Sequence, residues 1–226
     1  IRSRCRHLGL RIPTASAVAD LLVREGVATP EVALEAARAA QSHIGLARAL
    51  ARDPQMRERR RAIITAPASV RSVGEAVMAA DRLLETAKAQ ADAQVSERNA
   101  REKAELMRQL GMDEGESATK ASRTMLRQLE EDQKRRSKRA LTDAIDRALI
   151  DLLAIYRDVL MVQVGGDGEL INTDLSDLVH QIAQDSTPRQ TLARVDHIET
   201  ARKRLVSNGN PLLVLEDMAI SLRPQA

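Results

Sequence analysis

Aromatic side chains are almost absent from this 226-residue chain, which has one Tyr, no Phe and no Trp. Aliphatic and Met side chains must therefore fill whatever core it builds. A single Cys excludes an internal disulfide framework and a cysteine-based zinc site within these residues. It also suits a reducing compartment, and we expect a cytoplasmic protein. No run of 18 uncharged apolar residues exists, so no segment reads as membrane-spanning, and no signal or transit peptide is visible. Gly and Pro are few, 10 and 7, and fall at breaks between helical patterns. What remains is rich in Ala, Leu, Arg and Glu, all strong helix formers. The expected fold class is all-α. The length is enough to bury one large core or two smaller ones.

Charge of one sign is also lacking. Although 30% of residues are charged, the formal net charge is only +3. That is not the profile of a dedicated nucleic-acid binder, but it is compatible with weak, local phosphate contact. Constellations for catalysis are missing too. His7, His43, His180 and His197 show no metal-ligand spacing. No phosphate-cradling loop is present, and Cys5 has no evident base beside it. Gly165-Gly-Asp-Gly-Glu169 reads as a turn without the alternating oxygens of a calcium loop. We therefore expect no complete active site and no bound metal in this chain.

Periodicity and caps divide the sequence. A helix is expected over 14–25, with Thr14 as N-cap and Gly26 as stop. Thr29-Pro30 opens a second, a third runs from about Ile44 to Arg52, and a basic helix follows to about Ile64. Ala-Pro-Ala-Ser at 66–69 marks a boundary. Long helices follow, one to about Leu110 and one from near Ser117 to Val164, with Gly111 and Gly115 bracketing the turn between them. Helices near 174–185, 188–206 and 211–222 complete the chain, with Asn172–Asp174 and Thr187 as cap candidates. From about Lys88 to Arg139 there is helical propensity but little to bury, and acids and bases recur at i,i+4 (Glu97–Arg101, Glu130–Lys134). This segment reads as a projecting antiparallel hairpin. On the last helix, Leu212, Leu213, Val214, Leu215 and Met218 supply apolar surface on more than one face. Leu213 and Leu215 should divide between own core and interface, and Val214 is the residue expected to face outward.

The first six residues, Ile-Arg-Ser-Arg-Cys-Arg, place Arg2, Arg4 and Arg6 around Ser3 and Cys5. Three guanidinium groups beside an apolar run suit a polyanion, since each pairs bidentately with phosphate oxygens. The plainer reading is a solvated basic turn. Lacking an initiator Met and starting within an apparent structural element, the chain is expected to be the C-terminal part of a longer protein.

The Ser3-Arg4-Cys5 triplet in this setting resembles the Ser-Arg-Cys motif of clamp-loader subunits of the AAA+ family, as found in bacterial DNA polymerase III. Ala40-Gln-Ser-His-Ile-Gly-Leu-Ala-Arg-Ala-Leu50 is similar to their sensor-2 helix start, with Gly45 at the position of the usual Arg and Arg48 about one turn later. Ile155-Tyr-Arg-Asp-Val-Leu-Met-Val-Gln-Val164 resembles the family's Tyr/Trp-Arg-Asp stretch. Asn208-Gly-Asn-Pro-Leu-Leu-Val-Leu-Glu216 resembles its last helix. The resemblance implies a remnant of an α/β AAA+ ATPase-like domain at 1–12, a helical lid at 13–68 and a collar domain at 69–226 carrying the insertion 88–139, of an actinobacterial type. It implies that Arg4 is an arginine finger serving ATP held by a neighbouring subunit. Asn210, Leu213, Val214 and Leu215 fall at the collar interface. Delta and gamma/tau subunits are the implied partners, with the sliding clamp and primer-template DNA reached indirectly. No cofactor is expected in these residues, and a zinc module is implied upstream of them. The departure at Gly45 favours a non-hydrolysing stator of the delta-prime branch over a gamma/tau-type subunit. From another class, a helical scaffold or coiled-coil adaptor without an ATP link stays open, though 88–139 lacks sustained apolar heptads.

Overall fold

The computed structural model describes residues 11–111 and 120–223, and among these there are nine α-helices and no strand. The chain forms two compact units. One runs to Ile64 and includes Ala154–Thr191; the other comprises Thr65–Leu153 and the residues from Leu192 onward.

In the first unit, α1 (Ala15–Arg24), α2 (Pro30–Ala39) and α3 (Ile44–Arg52) pack on each other. Thr14 Oγ1 accepts from Ala17 N at 3.2 Å, so the expected cap starts α1. Gly26, at φ +66°, ends it, and Val27 N returns to Leu22 O at 2.9 Å. The core between the helices is mostly alanine: Val18, Leu22 and Leu50 are joined by Ala33, Ala36, Ala37, Ala47 and Ala51. Without aromatic rings to fill space, small side chains let the helix backbones approach closely.

Helix α4 (Pro54–Ser69) corrects one expectation. Pro67 does not end the helix before it but lies inside its last turn. There a proline forfeits only one backbone hydrogen bond, and Ser69 Oγ and Arg71 Nη1 satisfy the late carbonyls of Ala66 (2.8 Å) and Ala68 (2.6 Å). The break comes at Val70–Ser72, where Ser72 and Glu75 form a capping box that starts α5 (Val73–Gln109).

In the second unit, α5 and the part of α6 (Lys120–Gln163) up to Leu153 run antiparallel. Gln133 Nε2 donates to Asn99 O at 2.8 Å, and Lys103 faces Glu130 at 3.4 Å. Over 88–139 the apolar burial is small, as expected: Ala91 and Val95, with Ala140 and Leu141 just beyond. Yet heptad spacing persists. Ser122, Leu126, Leu129, Gln133, Arg136 and Ala140 alternate by four and three along α6, and none is exposed. Polar groups hold what apolar ones elsewhere would: Arg136 Nη1 donates to Asn99 Oδ1 (2.7 Å) and pairs with Glu102 Oε2 (2.8 Å). Hydrogen bonds from Arg136 and Arg98 hold the Glu102 carboxyl far below the usual range, at about 2. A depressed carboxylate contributes above its ordinary pKa and loses that contribution as pH falls through the folded value. An NMR titration should find Glu102 ionised down to about pH 2, and Arg136→Gln should return it toward 4.5. A Glu102 already titrating near 4.5 in the parent chain would remove the polar seam.

Helix α8 (Pro188–Val206) starts on Thr187, whose Oγ1 accepts from Gln190 N at 3.3 Å while Gln190 Oε1 accepts from Thr187 N at 2.8 Å. It ends in a Schellman turn: Asn208 sits at φ +62° and Gly209 N reaches Arg204 O at 2.8 Å. A Cβ on Gly209 would lie 2.8 Å from that same backbone oxygen and 3.0 Å from Val214 Cγ2. Gly209→Ala should therefore destabilise by about 1–3 kcal/mol, read as a lowered denaturant midpoint at constant slope. A change below about 0.5 kcal/mol would show that the corner relaxes freely.

Candidate functional site

Three places hold the residues singled out by sequence, apart from Ser3, Arg4 and Cys5, which lie outside the described residues. The first is the start of α3. His43 is its N-cap and Nδ1 accepts from Leu46 N at 3.1 Å. Gly45 follows in the first turn, where an added Cβ would make only ordinary contact with the His43 ring at 3.4 Å. The backbone there could carry a larger side chain, so glycine is not imposed by packing. Arg48, one turn later, is paired with Glu25. Its Nη2 and Nε make bonds of 2.8–3.0 Å to both carboxylate oxygens of Glu25, holding it against α1. Two residues just before His43, Gln41 (φ 47°) and Ser42 (φ 67°), hold left-handed backbone so that α2 can turn sharply into α3.

The second place is Asp158, within the Tyr156-Arg157-Asp158 stretch of α6. Its side chain is fully buried. Oδ1 accepts from Ile171 N (3.0 Å), and Oδ2 accepts from Asn172 N (2.8 Å) and Asn172 Nδ2 (2.9 Å). Asn172 Oδ1 in turn accepts from Arg60 Nη2 of α4 at 2.6 Å. Surface pairs flank this node, Arg61 with Asp174 at 3.3 Å and Arg38 with Glu169 at 3.1 Å. Arg157 Nη1 donates to Asp158 Oδ1 at 2.9 Å and to Glu169 O at 2.9 Å, adding an ion pair to the node. A carboxylate taken fully out of water needs such a set of donors. Asp158 thus fixes the Gly165–Asn172 turn and joins it to α4. Asn172, expected as a helix cap, is spent on this node instead; a 3₁₀ turn at Thr173–Leu175 leads into α7 (Ser176–Gln184). Nothing in the local pattern announced the node, since Asp158 and Asn172 stand 14 residues apart and Arg60 and Asn172 stand 112 apart.

The third place is the corner between α8 and α9 (Pro211–Leu222). Asn210 Oδ1 accepts from Leu212 N (3.0 Å) and Leu213 N (3.5 Å), and Pro211 occupies the first turn. Leu215, Met218 and Leu222 are buried, and α9 packs along α5. Here the outward residue is corrected. Val214 is only 7% exposed, whereas Leu213 is 62% exposed. Each helical residue advances about 100°, so Val214 stays within the arc set by Leu215, Met218 and Leu222 while Leu213 points the opposite way. Val214 also covers the Gly209 turn. Val206, the last residue of α8, is 79% exposed, so two large apolar side chains flank the corner in water.

Among the described residues no group of three or more His, Cys, Asp and Glu is placed to hold a metal ion. No helix among them is long and apolar enough to cross a membrane.

The family match falls on the second and third places. Residues 117–223 match the family described as DNA polymerase III, delta subunit, C terminal. Over 72 residues the chain is 38% identical to DNA polymerase III subunit delta' of Bacillus subtilis (strain 168), a stretch that is 32% of this chain and 22% of that protein. The match therefore spans less than a quarter of that relative's length. No solved structure matches. Residues 117–223, which contain both the Asp158 node and the α8–α9 corner, are thus similar to the C-terminal domain of DNA polymerase III delta subunits.

Proposed function

We propose that this chain is the C-terminal portion of a delta-prime-type clamp-loader subunit. It acts as a non-hydrolysing stator, with a lid over 13–68 and a collar over 69–226. The family match over 117–223 carries the reading, and the identity to the delta' subunit supports its branch. Gly45 offers no cation at its own position in the first turn of α3, and Arg48 is paired with Glu25, which supports a subunit that does not itself turn over ATP. Arg4 supplies an arginine finger to ATP on a neighbouring subunit, because a phosphoryl-transfer transition state is stabilised by a cation brought from outside.

The exposed Leu213 belongs to the surface that meets delta and gamma/tau in the collar. Leu213→Glu should leave the unfolding transition of the isolated chain within about 0.5 kcal/mol, because the side chain is in water. It should weaken association with delta and gamma/tau at least tenfold, about 1.4 kcal/mol, on size exclusion at graded concentrations. A variant that co-elutes like the parent would remove Leu213 from the interface. Failure of the parent chain itself to co-elute would remove the collar assignment.

A further inference from the structure

The near-neutral charge of the chain conceals a local excess. Residues 88–139 hold 13 Lys and Arg against 10 Asp and Glu, and this alone accounts for the net +3. Within them, Lys120–Arg139 of α6 has eight basic residues and three acidic ones. Most of these cations are not consumed by the fold. Lys120, Arg127, Lys134, Arg135, Lys138 and Arg139 are all exposed. Lys134 has no partner among the described residues, and Lys138 Nζ donates to the neutral Asn208 Oδ1 at 3.1 Å. Arg135 pairs with Asp132 and Lys88 with Glu85, both exposed i,i+3 contacts of the kind that contribute little and exchange readily.

These cations are organised by the hairpin. Lys134, Arg135 and Lys138 share one face of α6, at i, i+1 and i+4, and meet Lys88 of α5 across a groove of about 600 Å³. Ala91 and Leu141 floor the groove. Asp92 and Glu131 also reach it and limit how many phosphates it can take. Lys120, Arg127, Lys134 and Lys138 continue the basic stripe along the helix. At 1.5 Å per residue, 18 steps cover about 27 Å, comparable to eight base-pair steps of 3.4 Å.

We propose that this face of the hairpin binds the phosphodiester backbone of duplex nucleic acid, without reading its sequence. The chain has one aromatic residue, Tyr156, and it is buried, so no stacking platform for single-stranded bases is offered. Long flexible lysines and arginines on a straight helix instead suit a regular array of phosphates. This inference stands apart from the stator role and from Arg4.

The test uses the chain with a fluorescein-labelled 20-base-pair duplex of arbitrary sequence, read by anisotropy. Binding should be in the range of about 10⁻⁶–10⁻⁴ M, with log K falling against log salt at a slope of roughly −3 to −4 for four phosphate contacts. The variant K88Q/K134Q/R135Q/K138Q should bind at least tenfold more weakly, with a flatter slope. A comparison variant losing the same charge elsewhere, R24Q/R52Q/R59Q/R189Q, should stay within twofold of the parent. Circular dichroism should give both the parent's helicity, since every substituted side chain is exposed. Equal loss in both variants would assign the effect to diffuse charge and overturn the site. So would an absence of binding in low salt, tighter binding to single strands, or equal and variant-sensitive binding to phosphatidylserine vesicles.

Discussion

Asp158→Ala should lower the stability of the chain by about 3–5 kcal/mol, the range expected when one partner is removed from a buried, hydrogen-bonded charge. Four donors now satisfied by its oxygens, Arg157 Nη1, Ile171 N, Asn172 N and Asn172 Nδ2, would be left facing a methyl group. Asn172 would then hold Arg60 less firmly, and the Gly165–Asn172 turn would lose its tie to α4. In a chain of this size the melting temperature should fall by roughly 10 °C. Asp158→Asn keeps one acceptor and should cost less. A loss under 1 kcal/mol in the alanine variant would mean that water replaces the carboxylate and that the node does not organise this unit.

The physical reason this node escaped sequence reading also explains what was legible. Helices α1 to α3 and α7 to α9 lie close to where periodicity and terminal residues put them, because Thr14, Gly26, Pro30, Thr187, Asn210 and Pro211 act within four residues of themselves. The failures arise where long-range contacts or helix phase decide. The basic helix, expected to stop near Ile64, runs through Pro67 to Ser69, because tertiary context tolerates a proline in a last turn. Val214 was read as outward because a run of apolar residues on α9 does not fix its phase; packing on α5 and the Gly209 turn does. The lack of sustained apolar heptads over 88–139 was legible, but not the polar seam of Asn99, Glu102, Gln133 and Arg136 that takes their place, because it rests on pairs between the two helices. Polar pairs like these cost stability relative to apolar ones yet define one register.

Arg4→Ala, placed in the full-length protein, should reduce ATP turnover at the interface it serves by roughly 10³-fold, the effect of removing an arginine finger elsewhere. Arg4 lies outside the described residues, so the expectation rests on the Ser3-Arg4-Cys5 resemblance and on the chemistry of the transition state. Charge spreads over the transferred phosphoryl group as the bond to the leaving oxygen breaks, and a guanidinium at that point acts only while this charge exists. Nucleotide affinity should change far less than turnover. Bulk ATPase will fall by a smaller factor because the other sites of a loader continue to work. Arg4→Lys should recover little, since an ammonium cannot donate in parallel to two oxygens. Turnover unchanged at that interface would return the segment to a solvated basic turn.

The proposed role as a clamp-loader stator is tested most directly by loading itself. Delta and gamma/tau subunits, ATP, a labelled sliding clamp and primed DNA are combined with or without the full-length protein containing this chain, and DNA-bound clamp is counted after gel filtration. The proposal predicts ATP-dependent loading only when the protein is present, and loss of that stimulation when residues 117–223 are deleted. Loading that proceeds equally well without the protein, or with residues 117–223 removed, would contradict it.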